Sequence, residues 1–122
     1  MDKAEADLRT ARRESALPDA EANLDAAAFH AQQAAEKYLK AVLHGRAVYF
    51  PRTHDLPELV ELLTPPDPRL DGLSTQLEEL SARAVDPRYP GFSVSRAQAA
   101  GALRIAERVR AICRDLLGLP TC

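Results

Sequence analysis

Between Leu24 and Val42 the apolar residues Leu24, Ala28, Ala31, Ala35, Tyr38, Leu39 and Val42 recur at steps of three and four. That is the helical period, sustained for about five turns. Nothing in the chain competes with it, since no stretch alternates β-branched and polar residues as a half-buried strand would. A long helix with one apolar side needs other helices to cover that side. Its inward residues are mostly alanines, which allow a neighbouring helix to approach closely. The remaining apolar residues suit the same outcome: aromatics are only 5 %, tryptophan is absent, and alanine and leucine, both good helix formers, dominate.

The rest of the chain divides into further helices at its prolines and glycines. A first helix is predicted from about Lys3 to Leu17, stopped by Pro18, with a thin apolar side of Ala4, Leu8 and Ala11 and a basic edge of Arg9, Arg12 and Arg13. The long second helix starts at Glu21 or Asn23 and runs to His44, with Gly45 as its C-cap. A third begins at a capping box of Asp55 and Glu58, with Thr53 as the competing cap and Pro57 in the first turn. "TPPDP" (Thr64 to Pro68) ends it. A fourth is predicted from Arg69 to Ala84 on Leu70, Leu73, Leu77 and Leu80, and "DPRYPGF" (Asp86 to Phe92) breaks it. The last starts at a second capping box, Ser95 with Gln98, and reaches about Leu117. The expected fold is all-α: one domain over residues 1–122, an antiparallel bundle of four to five helices with the two long ones as its spine.

A chain of 122 residues can bury a core without staples. A net charge of -2 announces no nucleic-acid binder, although a local basic face stays open. Cys113 and Cys122 are too few for a zinc site and suggest no disulfide framework. No signal peptide or span of roughly 20 apolar residues is visible. The expectations are a cytoplasmic location, no membrane and no cofactor.

Four groups of polar residues carry chemistry. In "FHAQQAAEKYLKA" (Phe29 to Ala41), His30, Gln33, Lys37 and Lys40, followed by His44, line up opposite the apolar side, with Phe29 beside them. This stripe is either a solvated face or the lining of a contact surface. Histidine is an unusual choice for mere solubility, and Phe29 would be wasted there. Next, Arg52, Thr53, His54 and Asp55 precede the third helix, where amide groups and the helix dipole suit a phosphate. The plainer alternative is a cap with Arg52 paired to a carboxylate. Arg88 and Tyr89, beside Pro90 and Gly91, either hold a base or phosphate or tuck the tyrosine under a helix. Lastly, Arg96, Arg104, Arg108, Arg110 and Arg114 form a basic side on the last helix. It either tracks a phosphate backbone or pairs with the acidic third and fourth helices.

Taken together, "FHAQQAAEKYLKA", "RTHDL" and "DPRYPGF" resemble the HEPN domain family, in the family's order and over nearly the whole chain, from about Ala4 to Leu117. The resemblance implies a helical bundle, frequently a homodimer. It also implies a minimal nucleotidyltransferase as protein partner in toxin–antitoxin or related systems, and a nucleotide or RNA as ligand. Carried over by motif, the ligand-binding positions are His30, Gln33, Lys37, Arg52, His54, Asp55, Arg88 and Tyr89. Ribonuclease members carry an arginine and, after about four to six intervening residues, a histidine that handles the proton of the attacking 2′-hydroxyl. The histidines here are His30, His44 and His54, and none follows an arginine at that spacing. The usual centre is therefore missing, and the expected function is a non-catalytic nucleotide- or nucleotidyltransferase-binding module. Two alternatives are a ribonuclease toxin with an atypical centre, for which His54 and Arg88 are the catalytic candidates, and a purely structural homodimerisation module.

Overall fold

The computed structural model describes residues 2–18, 20–84 and 94–120. Its elements are α1 (Asp2–Ala16), α2 (Leu24–Gly45), α3 (Leu56–Glu61), α4 (Pro68–Asp71), α5 (Ser74–Ser81), a 3₁₀ turn (Ala82–Ala84) and α6 (Arg96–Leu116). There is no strand among the described residues. As expected, the fold is an all-α bundle, and four of the six helices among the described residues are substantial.

Helix α2 is the axis. The side chain of Asn23 caps it by accepting from the Ala26 amide at 3.0 Å. Both α1 and α6 lie along it, while α3, α5 and the 3₁₀ turn close another side. Ala28, Ala31, Ala35, Tyr38, Leu39 and Val42 are all sealed from solvent, and α6 answers with buried Ala102, Ala106 and Val109. Alanines on facing surfaces let the two axes approach closely, and Tyr38 fills the space they leave. Helix α6 begins with a complete capping box between Ser95 and Gln98. Its entry is also tied to the start of α2, because the Val94 amide donates to Asp25 Oδ1 at 2.7 Å.

Three local expectations are corrected. The fourth helix is broken: α4 ends at Asp71, and α5 restarts at Ser74 without a side-chain cap. Gly72 weakens the helix there, while Asp67 and Pro68 favour a separate short turn by capping it at the front. The apolar period reads through the break, since Leu70, Leu73, Leu77 and Leu80 all face the core. Gly45 is the last residue of α2 rather than its cap. Arg46 caps it, and Ala47 takes the left-handed conformation, with φ 57°. In the third case, only half of the predicted box at α3 forms. Asp55 accepts from the Glu58 amide, but the Glu58 carboxylate receives the Thr53 hydroxyl instead of turning back to Asp55.

Candidate functional site

The polar stripe of α2 divides into two flanks, each gathered by one carboxylate. On the first, His30 Nδ1 lies 2.9 Å from Asp7 Oδ1, and Lys37 donates to Asp7 Oδ2. This joins the stripe to α1. Phe29 is half-buried and meets the His30 ring edge-on, with centroids 5.4 Å apart.

The second flank is built on Glu36, a carboxylate only 5 % exposed. His54 Nδ1 sits 2.7 Å from Glu36 Oε1, and Gln32 Nε2 donates to the same oxygen at 3.1 Å. Lys40 donates to the other oxygen at 3.1 Å. Gln32, fully buried, also donates to the His54 backbone carbonyl at 3.2 Å, and Gln33 donates to the Gln32 side-chain oxygen at 2.7 Å. His54 is therefore held at its ring and at its backbone by neighbouring residues of one helix.

Electrostatics fix the protonation pattern. Burial pushes the Glu36 carboxyl upward, but the hydrogen bonds from His54, Gln32 and Lys40 outweigh it and leave the pKa below the ordinary value. An ionised Glu36 only accepts, so His54 Nδ1 carries the hydrogen. Nε2 is left as the working nitrogen of a ring whose side chain is 68 % exposed. It accepts a proton when the ring is neutral and donates when the ring is charged.

Two residues upstream, Arg52 is exposed and makes no hydrogen bond or ion pair among the described residues. The amides at the front of α3 are already taken. Leu56 N donates to Ser81 Oγ, Glu58 N to Asp55, and Pro57 has none. Asp55 is thus a cap, and an anion beside His54 would rely on side chains. Arg88 and Tyr89 lie outside the described residues.

The basic side of α6 is largely occupied by α1 rather than by the third and fourth helices. Arg110 and Arg114 both reach Glu5, at 3.0 and 3.3 Å, and Arg96 donates to the Ser15 and Leu17 carbonyls. Burial raises the Glu5 carboxyl, yet Tyr38 and the two arginines carry it below its usual range. Arg69 bridges Asp67 and Asp115. Cys113 is buried, its thiol pushed up to about 12 chiefly by burial, so it is not a reactive nucleophile. Among the described residues no group of His, Cys, Asp and Glu is arranged to hold a metal.

Of the residues singled out in the sequence, His54 and Lys40 come together on Glu36, whereas His30 and Lys37 belong to Asp7. Glu36 and Gln32 were missed because they flank the apolar side and read as its edge. The available signal was the four-residue spacing of Gln32, Glu36 and Lys40, which places them in one row.

A small all-α bundle packed around its long second helix defines the fold class. The HEPN domain family model matches residues 1–116, and the chain belongs to that family. No curated protein and no solved structure matches it significantly. No described helix is long and apolar enough to cross a membrane.

Proposed function

We propose that the chain is a nucleotide- or nucleotidyltransferase-binding module in which Arg52 and His54 receive phosphate. The observation that carries this is the exposed His54 ring, fixed by buried Glu36 and Gln32, with an unengaged arginine two residues away. Guanidinium and imidazolium donors match phosphate oxygens, and a prefixed ring loses little entropy on binding. A minimal nucleotidyltransferase as protein partner and a homodimeric state are the family's contribution to the proposal. Titration of ATP and of GTP by calorimetry is expected to give saturable heat, weakened about tenfold in Arg52→Ala, roughly the loss of one charge-assisted bond. No heat with either nucleotide, with or without a nucleotidyltransferase present, removes the ligand part.

One observation favours a second reading. A histidine whose Nδ1–H is anchored on a carboxylate presents Nε2 as a general base. On RNA, Nε2 would take the 2′-hydroxyl proton as that oxygen attacks phosphorus. The 5′-oxygen would leave with a proton taken from solvent water, giving a 2′,3′-cyclic phosphate and a 5′-hydroxyl end. Cleavage by pure protein, abolished in His54→Ala, is the expected result of this reading. Intact RNA after long incubation eliminates it.

A further inference from the structure

Beyond the His54 ring, the first turn of α1, the second half of α2 and the end of α6 border an open trough of about 890 Å³. The apolar part of its lining, its floor, is Ala4, Ala41, Phe50, Leu117 and Leu119. Its rim carries Lys3, Lys37, Lys40 and His44, against the one acidic lining residue Asp2.

The charges are arranged asymmetrically. The carboxylates that hold Lys37 and Lys40 lie behind them: the side chains of Asp7 and Glu36 are 13 % and 6 % exposed, against 36 % and 25 % for the two lysines. Hydrogen-bond donors therefore face outward while the acceptors are hidden. Lys40 Nζ also sits 5.8 Å from the centre of the Phe50 ring, at the junction of rim and floor. Lys3 and His44 are exposed, and their side chains make no hydrogen bond or ion pair with a described residue. Leu119, within the lining, is 39 % exposed, and Tyr49, next to Phe50 in sequence and outside the lining, is 87 % exposed.

We propose that this trough docks an acidic amphipathic segment of a protein partner. Its apolar side chains would rest on Ala41, Phe50 and Leu119, and its carboxylates would meet Lys3, Lys37 and Lys40. Charge complementarity selects the acidic partner, because each rim ammonium retains donors beyond its internal bond. Shape selects a polypeptide. A small ligand seeks a site that encloses most of its surface, whereas a trough with an open side fits one face of a helix. The proposal does not depend on phosphate binding at His54, since neither His54 nor Arg52 lines the trough.

The test uses the full chain and a fluorescein-labelled synthetic helix of about 14 residues, with leucines at helical spacing and glutamates elsewhere. Anisotropy is expected to show saturable binding that weakens as salt rises. The same peptide with lysines in place of glutamates should bind at least about tenfold more weakly. Lys3→Glu and Leu119→Glu, both at exposed positions that leave the core untouched, should each weaken the acidic peptide about tenfold. Absence of saturable binding, equal binding of the lysine peptide, or full affinity in both variants overturns the proposal. So does a sedimenting dimer that Leu119→Glu dissociates, because the occupant would then be a second copy of the chain.

Discussion

A Glu36→Ala chain is expected to unfold about 2–3 kcal/mol more easily than the parent at pH 7, and to lose much of the parent's sensitivity to acid. The carboxylate accepts from His54, Gln32 and Lys40, and these three partners differ in their route back to water. Lys40 and His54 are partly or largely exposed and can rehydrate. Gln32 is fully buried but keeps two bonds, donating to the His54 carbonyl and accepting from Gln33. The cost is therefore that of a few charge-assisted bonds rather than of a stranded ion pair. The pH dependence follows from the depressed native pKa. A carboxyl that ionises more readily when folded contributes stability above its unfolded value, 4.5 here, and that contribution disappears as pH falls through the native value. Urea melts between about pH 6 and pH 3 should show a shallower decline for the variant. Some decline remains, because Glu5 and Asp67 also sit below their ordinary values. Parallel curves for variant and parent would show that Glu36 is not the anchor described above. In the same variant His54 loses its ring partner, so nucleotide affinity should fall along with stability.

The helices were legible because their apolar residues obey one period and their caps use the ordinary residue types. Asn23, Asp55 and Ser95 all cap, each by accepting an amide three residues on. The break at Gly72 was not legible, since the leucines on either side keep their register through it. At Ala47 the sequence offers no glycine to mark the left-handed residue, while Gly45 two residues earlier suggests a different end. The site was half legible. His30, Lys37, Lys40 and His54 were identifiable as unusual polar residues, but their partners were not. Asp7 reaches His30 and Lys37 from another helix, and Glu36 reaches His54 from the edge of an apolar face; pairings across 18 to 30 positions leave no local pattern, and only the Glu36–Lys40 pair lies at helical spacing. The arginines of α6 illustrate the same gap. Their spacing shows a basic side, while the acidic residue that neutralises two of them, Glu5, lies more than 100 positions away.

Leu8→Ala is expected to cost about 3 kcal/mol, near the low end for a large-to-small change in a closed core. Helix α1 buries three residues, Ala4, Leu8 and Ala11, and Leu8 alone supplies a large apolar side chain. It is completely sealed from solvent. The two alanines present too little surface to hold a 15-residue helix against α2 and α6 once the leucine is gone. The Arg12 to Glu107 pair would not compensate, since it is solvent-exposed and such pairs contribute little. The consequence reaches the polar flank. Asp7 is one residue before Leu8 and holds both His30 and Lys37, so loosening α1 should release them before the rest of the bundle opens. Glu36 and His54 are carried by α2 and the loop before α3, and should stay in place. Amide exchange is therefore expected to accelerate first across residues 2–16, with α2 protected until global unfolding. A loss below about 1 kcal/mol, or uniform acceleration through α1, α2 and α6, would show that α1 is held by something other than this leucine.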